Sequence, residues 1–146
     1  MPGAASALSC LRPDVAVTYA QAAEAPEPYV VVLGLMTFDP AAMPPTDDMT
    51  RDHEGRMVPA RIEGKGLTAH GFDTPFEADL TIDAQCLGPW CARAESGETI
   101  LAFIEQREEG YVLSLTPCGG MGFAAPSDEN VKRVEACHRG EGCDPA

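Results

Sequence analysis

The sequence predicts a mainly β domain: five strands rolled into a small closed barrel, with a helix at the C-terminus. Three stretches carry that prediction. Residues 97–118, GETILAFIEQREEGYVLSLTPC, place two apolar runs, 99–105 and 111–116, on either side of a charged turn that closes at Gly110. That is a β-hairpin signal. Residues 76–83 alternate, with Phe76, Ala78, Leu80 and Ile82 on one side and Glu77, Asp79, Thr81 and Asp83 on the other. Residues 29–38, YVVVLGLMTF, are rich in β-branched side chains, and Gly34 inside them reads as a bulge or a sharp bend. Five antiparallel strands, the first of them bent, suggest closure, which removes exposed sheet edges. An open sandwich is the structural alternative.

Taken in order, the elements read as follows. Pro13 and Asp14 open a short alanine-rich helix over 15–25, and Pro26 and Pro28 end it. After the first strand comes a long loop, 39–55, DPAAMPPTDDMTRDHEG, with three prolines and a cluster of acids. Loops of this length without structure are functional or disordered. The second strand spans 57–67, where Val58, Ala60 and Ile62 alternate and Gly64 and Gly66 break the pattern. Residues 69–75 turn the chain into the third strand, 76–83. The loop 84–98 carries Cys86, Gly88, Pro89, Trp90 and Cys91. In the fourth strand Ile100 to Ile104 are apolar on both faces, so it is expected to be central. The fifth alternates at Tyr111, Leu113 and Leu115. Gly119, Gly120 and Gly122 then make a flexible turn. Ser127 caps a final helix with Asp128 and Glu129 in its first turn, Val131 and Val134 toward the body, and His138, Arg139 and Gly140 at its end.

The 146 residues, 45% hydrophobic, suffice for one globular domain with a core. Six cysteines, with no C-x-x-C pair, read as disulfides rather than a zinc ribbon, and so imply an oxidising compartment: periplasm, cell surface or medium. Residues 1–9 are expected to be a leader remnant or a disordered tail, with A-x-A-type residues at Ala5 and Ala7, and residues 10–146 a single stapled domain. A lipid anchor at Cys10 is conceivable, but the leucine of Ala7-Leu8-Ser9-Cys10 stands one place too late for a good lipobox. No run approaches the ~20 apolar residues of a membrane span. The net charge of −13 disfavours nucleic acid and anionic headgroups, and admits a basic partner or a divalent cation.

Candidate chemistry is sparse. The acidic loop holds Asp47, Asp48, Asp52, His53 and Glu54, and hard cations want several carboxylates, but the spacing is not that of an EF-hand. His53, His70 and His138 lack the i, i+4 spacing of a helical zinc pair. There is no G-x-S-x-G, and pairing consumes the cysteines, so no catalytic constellation and no cofactor is expected. Trp90, the sole tryptophan, is either an interaction hot spot or a lid over one end of the barrel, with the lid favoured.

The order of features in the second half resembles the netrin-type module: a cysteine loop, then GETILAFIEQREEGYVLSLTPC, then F-x-x-P at Phe123 to Pro126, then a helix. Tissue inhibitors of metalloproteinases carry the same order, and bacterial secreted proteins of unknown function resemble them. The resemblance covers about 10–137. It implies a five-stranded OB-like (netrin-type) barrel with a C-terminal helix and a short N-terminal helix. In that strand order 76–83 and 111–116 are parallel neighbours, and the N-terminal segment is tied to the barrel by a disulfide. It also implies a pairing. Cys10 matches the second N-terminal cysteine of the inhibitors, whose partner follows the last strand, hence Cys10–Cys118. Cys86–Cys91, helped by the Gly88-Pro89 turn, and Cys137–Cys143 accompany it. The competing arrangement is Cys10–Cys86 with Cys91–Cys118. The inhibitors begin with a free-amine Cys-x-Cys that chelates the protease zinc. Here Leu8-Ser9-Cys10 stands in that place, so that mechanism does not carry over. The expected function is a secreted or periplasmic, non-catalytic binding or inhibitory module for an extracytoplasmic protein. Asp47, Asp48, Asp52, His53 and Trp90 are its candidate partner-binding residues. The alternative is a metal- or small-ligand carrier using the 39–55 loop.

Overall fold

The computed structural model describes residues 8–145; most of the expected leader remnant or tail lies outside the described residues. The chain is mainly β with two helices. In order it forms α1 (Val15–Glu24), β1 (Tyr29–Phe38), a 3-10 turn (Pro40–Ala42), β2 (Arg56–Thr68), β3 (Gly71–Ala84), β4 (Cys86–Leu87), β5 (Trp90–Cys91), β6 (Glu98–Arg107), β7 (Gly110–Leu115), β8 (Gly122–Ala124) and α2 (Asp128–Arg139).

The five long strands pair in a ring. β1 is antiparallel to β2 on one side and to β6 on the other, β2 is antiparallel to β3, and β6 to β7. The remaining contact, β3 with β7, is parallel, with Leu80 opposite Tyr111 and Ala84 opposite Leu115. The strands are therefore not all antiparallel. Nor is the ring an evenly closed barrel. β6 and β7 meet only at Glu105–Arg107, and β8 takes the other end of β6, with Ile100 opposite Ala124. β8 lies in the stretch whose glycines suggested only a flexible turn. Residues 71–75 are strand rather than turn, and Pro75 is tolerated because β7 reaches only Leu80 to Ala84, leaving Pro75 paired on one side alone.

Gly34 makes no bulge. Its register is continuous with Gly64 on β2 and Ile100 on β6. The glycines serve close approach instead: a Cβ on Gly64 would lie 2.2 Å from the Leu33 carbonyl oxygen, and one on Gly34 would lie 2.6 Å from that of Glu63. The register shift in this sheet falls between Gly66 and Leu67, across from β3.

β6 shows why a run apolar on both faces is central. Ile100, Ala102 and Ile104 point into the ring with Val32, Met36, Val58, Ile62, Ile82 and Leu113. Leu101 and Phe103 point outward, under Val15 and Ala22 of α1 and Val134 of α2. The helices thus cover the outer face of one strand, so both faces of β6 leave water. Asp14 caps α1 by accepting from the Ala16 N–H at 2.9 Å, and Ser127 caps α2 by accepting from the Asn130 N–H at 3.1 Å. Val131 is half-buried where Val134 is fully buried. Gly140 ends α2 in the left-handed conformation at φ 73°.

Three disulfides close the structure: Cys10–Cys118, Cys86–Cys91 and Cys137–Cys143. The competing Cys10–Cys86 arrangement is not formed. With its sulfur bonded to Cys118, Cys10 has no thiol for a lipid anchor. Among the described residues no helix is long and apolar enough to cross a membrane.

Candidate functional site

Strand direction gathers three segments at one end of the molecule. β1 and β3 are each antiparallel to β2, and β3 is parallel to β7. The C-terminal ends of β1, β3 and β7 therefore lie together. From them emerge the 39–55 loop, the β4–β5 hairpin and the turn leading to Cys118. The Cys10–Cys118 bridge brings the N-terminal segment to the same place.

The 39–55 loop is held by its own polar groups. Asp39 accepts from the Ala41 N–H at 3.0 Å and starts the 3-10 turn. Arg56 donates from Nη1 to the Met43 carbonyl at 3.0 Å. The His53 N–H donates to the Gly88 carbonyl at 3.0 Å, tying the loop to the β4–β5 hairpin. His53 Nε2 lies 2.6 Å from the Asp48 carbonyl, so Nε2 carries the proton and donates it. Asp48 accepts from the Thr50 hydroxyl and from the Thr50 N–H at 3.0 Å, and pairs with Arg51 at 3.3 Å. The Thr50 hydroxyl, then its N–H, then Arg51 hold the Asp48 carboxyl below its ordinary value.

Of the residues expected to bind a partner, His53 and Asp48 are thus structural members of the loop. Asp47 is exposed. Asp52 is exposed beside the hairpin, where its Oδ1 lies 3.5 Å from the place a Cβ on Gly88 would take. These acids do not converge. Among the described residues no group of three or more His, Cys, Asp or Glu side chains could hold a metal ion. The depression beside Asp52 and Glu54, about 310 Å³, is shared with Arg51 and Arg56, which offset the acids locally.

Trp90 is where the favoured expectation is corrected. It is half-buried and belongs to neither apolar core cluster, so it is no lid on the ring. It faces Leu87 across the two-rung β4–β5 ladder. It lines a cleft of about 230 Å³ with Leu8, Thr46, Met49, Pro89, Arg93 and Pro117. Beside Trp90 apolar side chains stay in water: Leu87, its ladder partner, is 61% exposed, and Met49, in the cleft wall, 48%. Sequence reading passed over Met49, Leu87 and Arg93. The available signal was an apolar residue in an otherwise acidic, proline-rich loop, and another at a hairpin turn.

A depression of about 370 Å³ lies at the other end, at the start of β1. There the Tyr19 hydroxyl meets His138 Nδ1 at 2.8 Å, and burial raises the Tyr19 pKa. The two groups satisfy each other, and no serine or free thiol lines the space.

No protein-family model, curated protein or solved structure matches this chain.

Proposed function

We propose that this chain is a netrin-like, OB-type module of the extracytoplasmic space. It binds or inhibits a protein partner without catalysis, and its docking ridge is the end where the N-terminal segment, the 39–55 loop and the β4–β5 hairpin meet. The ring order supports the OB reading. Counting β6 and β7 as the fourth and fifth long strands, neighbours run first-second-third-fifth-fourth and return to the first. Three disulfides favour an oxidising compartment.

The observation that carries the docking reading is half-buried Trp90 with two exposed apolar side chains beside it, Met49 in the wall of the same cleft and Leu87 opposite it on the ladder. Apolar surface concentrated at one place, rimmed by charge, marks an interaction site. It lies between two disulfides, Cys10–Cys118 and Cys86–Cys91, which hold its backbone in place and so lower the ordering cost of binding. The test is capture of a partner from extracytoplasmic extract on immobilised protein, compared with Trp90→Ala. A specific partner lost on Trp90→Ala, with the melting temperature preserved, supports the reading. Absence of any specific partner, together with measurable turnover of a substrate, removes it.

A further inference from the structure

The first half of β3 has a neighbour on one side only. β2 pairs with β3 from Gly71 to Ala84, whereas β7 joins its other side only from Leu80 onward. Successive residues of a strand turn their N–H and C=O groups to opposite sides. Two contacts fix which residues of β3 face β7. Gln85 donates its N–H to the Leu115 carbonyl at 2.9 Å. Thr81 stands opposite Pro59 of β2, which has no N–H to exchange, so Thr81 also turns to β7. The register with β2 runs without a break from Pro75 to Ala84, so the odd-numbered residues of this stretch all face the same way. Glu77 and Asp79 therefore turn their N–H groups, and Pro75 and Glu77 their carbonyls, to a side where no described strand lies. All three residues are exposed.

The two faces of this edge differ. Outward stand Glu77 and Asp79 with Glu63, and among the described residues Arg61 is the one base that pairs with them, at 3.5, 3.2 and 3.3 Å. The adjoining β6–β7 turn carries Glu108 and Glu109, both exposed. Inward, half-buried Phe76 packs against the ring core and lies edge-on to Tyr111 at 5.5 Å. We infer that the Pro75–Asp79 edge takes an additional strand from another protein, an extended segment whose side chains alternate basic and apolar. A row of open backbone donors and acceptors pairs with an extended chain, and the side chains then choose which one. Residues opposite Glu77 and Asp79 share their face, so they carry Lys or Arg; those between them cover Phe76. A second copy of this chain is barred from the same edge, because its acids would meet these acids directly opposite. The edge lies in the first half of β3, away from the C-terminal end that leads to the Trp90 hairpin, so it stands or falls without the ridge.

Amide hydrogen exchange of the whole chain, read residue by residue by NMR, decides it. In the free protein the Glu77 and Asp79 amides are expected to be at least about tenfold less protected than those of Ala78 and Leu80, which face β2. The probe is a synthetic octapeptide alternating Lys and Val. One control has the same residues in two blocks, four Lys then four Val, and another is the alternating peptide N-methylated throughout. At millimolar concentration the alternating peptide is expected to slow exchange at Glu77 and Asp79 at least about tenfold, and neither control to do so. Glu77→Gln combined with Asp79→Asn is expected to weaken the peptide about tenfold. Protected Glu77 and Asp79 amides in the free protein, no slowing by the alternating peptide, equal slowing by either control, or binding unchanged in the double variant overturns the inference. Protection that grows with protein concentration alone gives the edge to a second copy and overturns it as well. The N-methylated control keeps the test decisive should the double variant fail to fold.

Discussion

Replacing Cys10 and Cys118 together by serine is expected to destabilise the domain about twice as much as replacing either other pair. The bridge spans 108 residues of sequence, against 5 for Cys86–Cys91 and 6 for Cys137–Cys143. In the chain-entropy account, closing a loop of about 100 residues in the unfolded chain stabilises by about 4.7 kcal/mol, and loops of 5 or 6 residues by about 2. The Cys86–Cys91 bridge lies inside the larger loop but shortens it too little to move the logarithm. Unfolding entropy of about 2.1 cal/mol/K per residue gives roughly 0.3 kcal/mol/K for this chain, so the expected falls in Tm are about 15 °C and about 7 °C. Scanning calorimetry of the three double-serine variants in one buffer reads this directly. Equal falls for all three, or the largest fall from a short bridge, would refute the loop-closure reasoning. Losing Cys10–Cys118 also unties the N-terminal segment, so proteolysis at 8–14 should accelerate before the global melt.

Other outcomes follow from the packing and the polar contacts. Gly64→Ala sets a Cβ 2.2 Å from the Leu33 carbonyl and 2.4 Å from the Gly34 Cα. Both are backbone atoms, so a loss of about 2–3 kcal/mol or failure to fold is expected. Gly66→Ala, whose nearest contact is an ordinary 3.7 Å, is the mild control, and equal losses in denaturant melts would contradict the close-approach account. Phe103→Ala is expected to cost about 3–5 kcal/mol, because Phe103 is fully buried between β6 and the helices, edge-on to Phe123 at 6.2 Å. A loss below 1 kcal/mol in urea would mean the helices do not cover that face. Asp48 and Asp73 have carboxyls held low by Thr50 and by Thr68 and Thr74. A folded pKa below the unfolded value of about 3.9 means a stabilising contribution that is full above that pH and lost as pH falls through the depressed value. NMR titration should show Thr50→Val returning Asp48 toward its ordinary value, and no movement would discard the hydrogen bond as the cause.

Much of this was written in short-range chemistry. The alternation at Leu80 and Ile82, the doubly apolar run Ile100 to Ile104, the caps at Asp14 and Ser127 and the left-handed Gly140 depend on neighbours in sequence. Period-two burial and local capping need no knowledge of the rest of the chain. The two-residue strands β4 and β5 and the three-residue β8 are too short for any period to show. They exist because a disulfide or an adjacent strand end supports them. Gly34 and Gly64 read as strand breakers until β1 and β2 are seen to approach at that point. Asp48 and His53 read as partner-binding candidates, and within the loop they also bond to neighbours two and five residues away, Asp48 to Thr50 and His53 to the Asp48 carbonyl.

By itself, then, the sequence determined a small β domain with an apolar central strand, capped helices, a disulfide framework and an acidic surface, all properties of composition and local pattern. The parallel pairing of 76–83 with 111–116 was implied by the netrin-type resemblance and is present as β3 with β7, whereas only the tertiary structure decided that β8 takes the other end of β6 and that Trp90 stands outside the core, in a cleft it shares with Arg93. These depend on contacts between residues far apart in the chain, such as Ile100 with Ala124, and no local periodicity encodes them.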